Sequence, residues 1–112
     1  MCKIGDIYMA SLGIDEEGCL QSGTRPVIVV SNDKANDFSP VINIIPITSR
    51  LSKKRLPTHV YLTRCGLDRP SIALAEQIRS INKSKLIHKI GSIKNTTYEE
   101  QIKNAILIQL SI

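Results

Sequence analysis

Tryptophan is absent, and the chain holds one phenylalanine and three tyrosines. A module that docks proline-rich peptides needs an aromatic-lined groove, so a non-enzymatic SH3-like adaptor fits poorly. There are two histidines, His59 and His88, so a nuclease built on a histidine pair would have to use both. His88 alternates with apolar residues in Leu86-Ile87-His88-Lys89-Ile90 and reads as structural; His59 falls in an expected strand and is a weak candidate for touching a substrate. The three cysteines, Cys2, Cys19 and Cys65, form no C-x-x-C pair. Their odd number and wide spacing fit free thiols and leave zinc without a regular ligand set. No apolar run reaches the ~18 residues of a membrane span. The opening Met1-Cys2-Lys3-Ile4-Gly5-Asp6 meets an acid too early for a signal peptide, so a cytoplasmic protein is expected. No P-loop, G-x-S-x-G elbow, H-E-x-x-H pair or Gly-rich dinucleotide fingerprint occurs, and each of these would have announced its chemistry. Neither a cofactor nor a metal is expected.

What remains is ordinary globular composition with a basic bias. The chain has 112 residues, 42% of them apolar and 22% charged. That length suits a single domain over 1–112 with its own core. The formal net charge is +5, and its placement matters more than its size. The acids Asp15, Glu16 and Glu17 cluster early, while Arg50, Lys53, Lys54 and Arg55 fall within one short segment. A concentrated basic stretch favours a polyanion such as nucleic acid.

Along the chain, short strands alternate with turn signals. Asp6–Ser11 reads as a first strand, followed by a polar stretch from Gly13 to Thr24. Pro26–Ser31 is a β-branched run typical of a buried strand, ended by Asn32-Asp33. Val41–Ile47 is a second, in which Pro46 suggests an edge or a bulge. Thr58–Leu62, Ser71–Ala75 and Gln77–Ile81 complete the set, the last alternating with period two. The period then changes: Thr96 or Thr97, each three residues ahead of a glutamate, suits a capping box. Behind it Tyr98, Ile102, Ala105, Ile106 and Leu110 recur at helical spacing. Many short strands and one terminal helix predict a small β-barrel or strongly curved sheet.

Two segments carry candidate chemistry. Gly23-Thr24-Arg25-Pro26 sets an arginine at the mouth of an apolar strand, where a guanidinium fork suits phosphate oxygens. Ile47-Thr48-Ser49-Arg50 ends another strand in two hydroxyls and a base, followed by cations able to track a backbone. Spacing alone does not bring Arg25 and Thr48 together.

In these and other segments the chain resembles the MazF/PemK toxins. The matching pieces are Gly5-Asp6-Ile7-Tyr8, Gly23–Val29, Asn32-Asp33, Phe38-Ser39-Pro40, Ile47-Thr48-Ser49, Leu56–Val60 and Glu76–Ile81. They follow the family's order over nearly the whole length, nearest its Gram-positive branch. The resemblance implies a mainly β, SH3-like barrel with a C-terminal α-helix, assembled as a homodimer. It implies a metal-independent, ribosome-independent endoribonuclease that cuts single-stranded messenger RNA and leaves 2′,3′-cyclic phosphate and 5′-hydroxyl ends. It also implies a MazE-like antitoxin whose acidic tail covers the RNA groove. Arg25 and Thr48 fall on the family's catalytic pair. Gln21, Thr24, Ser49, Arg50, Lys53, Lys54, Arg55, His59, Glu76 and Gln77 are the expected RNA-binding residues. Leu20 departs from the pattern, because relatives often carry Glu-Gln where this chain has Leu20-Gln21. A gyrase-directed toxin of the CcdB type is the alternative on the same fold; such toxins bind a protein and do not depend on the arginine and threonine.

Overall fold

The computed structural model describes residues 1–51 and 54–112. In chain order the elements are β1 (Asp6–Ser11), β2 (Thr24–Val29), α1 (Asp33–Phe38), β3 (Val41–Thr48), β4 (His59–Leu62) and β5 (Ser71–Leu74). A 3₁₀ turn (Ala75–Gln77), β6 (Arg79–Asn82), a second 3₁₀ turn (Lys83–Lys85), β7 (Leu86–Ser92) and α2 (Tyr98–Leu110) follow. The strands pair antiparallel in the order β4-β5-β3-β2-β1-β7, with β6 also on β3. This mainly β, SH3-like architecture with a C-terminal helix agrees with the expectation. No helix among the described residues is long and apolar enough to cross a membrane.

Val27–Val29 of β2 and Ile44–Ile47 of β3 are apolar without interruption because both faces of the sheet are covered there. Ile28, Ile45 and Ile47 point into one core with Ile7, Val60, Leu62, Ala73 and Ile93, which Ile102 and Ala105 of α2 close. Val27, Val29, Ile42 and Ile44 point the other way, into a second cluster with Cys2, Ala10, Leu12 and Ile81. The helix thus buries the middle of its expected stripe, Ile102 and Ala105, and half-buries Tyr98 and Ile106, whereas Leu110 at its end is exposed.

Pro46 is not on an edge strand. It lies in the middle of the sheet opposite Val27, but at the point where the other side of β3 changes partner. Ile44 pairs with Arg79 of β6 and Ile47 with Ala73 of β5. Between them the ladder is interrupted, so a residue without an N–H fits there.

The two outermost strands are brought together by glycine. After β4 the chain runs through Arg64, Cys65 and Gly66, all at positive φ (65°, 56° and 90°), and lies flat on the backbone of β7. A Cβ on Gly66 would stand 1.8 Å from the Ile90 carbonyl oxygen, and one on Gly91 would stand 1.7 Å from that of Cys65. Only a pair of glycines allows this approach, which curls the sheet round so that its edges meet.

The three cysteines are free thiols, as expected. Burial pushes the thiol pKa of Cys2 and of Cys65 up. α1 and β7 were not foreseen as elements. α1 is capped by the Asn32 side chain, which accepts from the Ala35 N–H at 2.9 Å. It is anchored by buried Asn36, which donates to the Ser31 carbonyl at 2.8 Å. The foreseen capping box forms only in part: the Thr96 hydroxyl accepts from the Tyr98 N–H at 3.1 Å, and the Glu99 carboxylate reaches back to the Asn95 N–H.

Candidate RNA-cleavage site

The register of the central strands joins the two candidate segments. Val29 pairs with Ile44, Ile28 with Ile45 and Val27 with Pro46. Arg25 and Thr48 each lie two residues beyond the last of these pairs, at the same end of the two strands. Both line one groove of about 490 Å³, together with Gly18, Leu20, Gln21, Ser22, Ser49 and Arg50.

Within it Arg25 is exposed but directed. Its Nε donates to the Ser22 carbonyl oxygen at 3.0 Å, which leaves both terminal amino groups to face an anion. Thr48 is buried, and its hydroxyl oxygen accepts from the Arg50 N–H at 3.1 Å. With that lone pair occupied, the hydroxyl proton is available for donation. Among the described residues no carboxylate forms an ion pair with Arg25 or Arg50. Two uncompensated guanidiniums and an oriented hydroxyl around a polar cleft describe an anion site that suits a phosphodiester.

The wall of this groove is the β1–β2 loop, and the structure shows what holds it. Its base is closed by Leu12 N–H on the Gly23 carbonyl and Gly23 N–H on that of Gly13, at 2.9 and 2.7 Å. Asp15 accepts from the Leu20 N–H at 2.7 Å. Gln77 then clamps the loop from the side, its amide oxygen accepting from the Gln21 N–H at 2.8 Å and its Nε2 donating to the Cys19 carbonyl at 3.3 Å. Gln77 is not part of the expected strand Gln77–Ile81 but ends a 3₁₀ turn, from which its side chain braces the loop. Gln77→Ala is expected to speed proteolytic cutting within residues 13–23 while lowering global stability by about 1–2 kcal/mol, the scale of two hydrogen bonds. Unchanged cutting there would show that the loop does not depend on this clamp.

Glu76 and His59 pair with each other. His59 Nε2 lies 2.9 Å from one Glu76 carboxylate oxygen, and the Thr58 hydroxyl donates to the other at 2.9 Å. The His59 side chain is only 6% exposed and does not line the groove; its Nδ1 is enclosed without a partner. Thr24 is exposed at the start of β2, opposite Ser11. Arg55 stacks over the Tyr61 ring at 4.3 Å. Tyr61 shares a sheet face with Thr48 through their common partner Ile72, so part of the basic segment returns toward the site. Lys54 is exposed, and Lys53 lies outside the described residues. No group of three His, Cys, Asp or Glu side chains able to hold a metal comes together among the described residues.

Known proteins share the chain's fold and give it a family. Residues 3–110 match the family described as PemK-like, MazF-like toxin of type II toxin-antitoxin system. An endoribonuclease MazF from Staphylococcus saprophyticus is 37% identical over 114 residues, covering 100% of this chain and 93% of the relative. Among solved structures, an endoribonuclease in complex with its cognate antitoxin from a mycobacterial species superimposes with a TM-score of 0.82 at 20% identity, covering 100% and 97% of the two chains. A MazF from Deinococcus radiodurans gives 0.80 at 21% identity, covering 99% and 97%. The two structures establish the fold; the family match and the staphylococcal relative establish the lineage. The chain belongs to the PemK-like, MazF-like toxins of type II toxin–antitoxin systems.

Proposed function

We propose that the chain is a cytoplasmic endoribonuclease toxin, active as one domain, that cuts single-stranded messenger RNA at short specific sequences without metal or ribosome. The observation that carries this reading is the meeting of Arg25 and Thr48 in one groove with no carboxylate lining it. The ribose 2′-hydroxyl attacks the adjacent phosphorus in line, and the bond to the 5′ oxygen breaks. The products are a 2′,3′-cyclic phosphate and a 5′-hydroxyl. The proton lost by the 2′-hydroxyl passes to water, and one is gained by the departing 5′ oxygen. Arg25 neutralises the non-bridging oxygens, while Thr48 donates a hydrogen bond to the same developing charge. A guanidinium holds its protons too firmly to act as the base.

A MazE-like antitoxin with an acidic disordered tail fits the same cationic groove and competes with RNA for it. The exposed apolar end of α2, including Ile108 and Leu110, suits the contact between two copies in a homodimer. The family and the 37%-identical relative favour cleavage of RNA over the gyrase-directed alternative.

Single strands are expected to be cut in excess chelator and duplexes of the same sequence spared, because a base in a duplex hides the edges that a cleft can read. Affinity should fall steeply as salt rises, as it does wherever cations meet phosphates. Loss of cutting in chelator, or equal cutting of duplex, would contradict the reading.

A further inference from the structure

A second cleft, of about 500 Å³, backs onto the first across the ends of β2 and β3, and Arg25 and Ser49 line both. The two differ in chemistry. The groove at Thr48 is polar and cationic. The second cleft has an apolar floor of Met9, Pro26, Ile47 and Ile90 beneath exposed Asp68, Arg69 and His88. Strand register explains the floor: Pro26, Met9 and His88 stand in one cross-strand row over β2, β1 and β7. The wall is the segment from Gly66 to Arg69, seated on β7 by the contact between Gly66 and Gly91. Ser71 Oγ donates to the Arg69 carbonyl at 2.9 Å and fixes its far end.

A phosphate held at Arg25 sits on the divide between the two clefts, so the nucleosides on either side of it fall into different environments. We propose that the second cleft is a nucleobase subsite for RNA, taking the base on one side of the cut. The flat heterocycle lies on the Met9–Pro26–Ile90 floor and presents its edge to Asp68, Arg69 and His88. An apolar floor with a few convergent polar groups is the usual make-up of a small-ligand pocket, and the volume lies within the usual ~300–1,000 Å³. The mixed signs of the rim, an acceptor, a fork of donors and an imidazole, suit a base edge rather than a phosphate. The inference rests on the proposed cleavage of RNA and adds to it the residues that set sequence preference.

Asp68→Asn and His88→Ala test it, since both side chains are exposed and their loss should leave melting unchanged. Cut positions are mapped on a long RNA of mixed sequence for the unaltered chain and each variant. The expected result is the same end groups in all three, with base preference relaxed by about tenfold or more at one position on one side of the cut. An unchanged distribution of cuts would overturn the subsite and leave the ribonuclease reading intact. Binding is read separately by titrating a single-stranded oligonucleotide carrying 2′-deoxyribose at the cut position and following the ring resonances of the two histidines. His88 should shift and buried His59 should not. A chain that never cuts RNA but shows the His88 shift would refute the cleavage reading and retain the subsite. A silent His88 would refute the subsite.

Discussion

Arg25→Ala is expected to slow RNA cleavage by about 10²–10³-fold, the usual cost of removing one preorganised donor from a charge-developing transition state. The side chain is exposed and, among the described residues, its hydrogen bond runs to the Ser22 carbonyl, so its removal opens no cavity and should leave melting nearly unchanged. Arg25→Lys sharpens the test. A lysine restores the charge but supplies neither the Nε bond to Ser22 nor a planar fork for two phosphate oxygens. If a positive potential were all that mattered, lysine would restore most of the rate; the geometry here predicts that it restores little. Thr48→Val should act in the same direction, because it keeps the buried volume and removes the hydroxyl. It also strands the Arg50 N–H that the hydroxyl now receives, so a modest fall in stability belongs to that variant and not to Arg25→Ala. Full activity in both would place the chemistry elsewhere.

The second large effect concerns stability. Gly91→Ala adds one carbon at 1.7 Å from the Cys65 carbonyl oxygen and 2.5 Å from its carbon. The obstacle is backbone, and the residues that carry it, Cys65 and Leu67, pack against the main core, so the loop has little room to retreat. Overpacking commonly costs ~1–3 kcal/mol, and this contact belongs at the upper end or beyond. At roughly 4–8 °C per kcal/mol for a domain near this size, melting should drop by more than about 10 °C. Gly13→Ala is the control: its φ is +79° but nothing lies within 4 Å of the added carbon, so only the ~1 kcal/mol scale of left-handed strain applies. Equal melting of the two variants would mean that the sheet edges are not locked by this contact.

Much of this frame is legible in the sequence. β1 matches its expected bounds, and the runs at Val27 and Ile42 betray strands covered on both faces. The stripe from Tyr98 to Ile106 marks α2. Other features escape for definable reasons. α1 has six residues, too few to show a period, and exists because Asn36 finds partners in the interior. Pro46 argues for an edge by its missing N–H, but only the pairing reveals that β3 changes neighbours at that point. Nothing in the chain announces that Gly66 and Gly91 meet, since they lie in separate segments and neither completes a motif.

The site divides in the same way. Arg25 and Thr48 stand out as strand-end residues, yet only the pairing of β2 with β3 brings them to one groove. His59 draws attention by its chemistry and proves to be tied to Glu76, while His88 reads as structural because it alternates with apolar residues. Alternation marks a strand but does not say which end of the sheet is left uncovered, and His88 lies at the uncovered end. Gln77 can be placed near the groove by resemblance; its hold on the loop backbone depends on side-chain geometry that no spacing encodes.

The most direct test of the account is end-group analysis of a long single-stranded RNA incubated with the purified chain in excess chelator. Discrete cuts ending in 2′,3′-cyclic phosphate and 5′-hydroxyl are the predicted result. Fragments bearing 3′-hydroxyl and 5′-phosphate, or cutting that requires added metal, would contradict an attack by the neighbouring 2′-hydroxyl at a site built from Arg25 and Thr48.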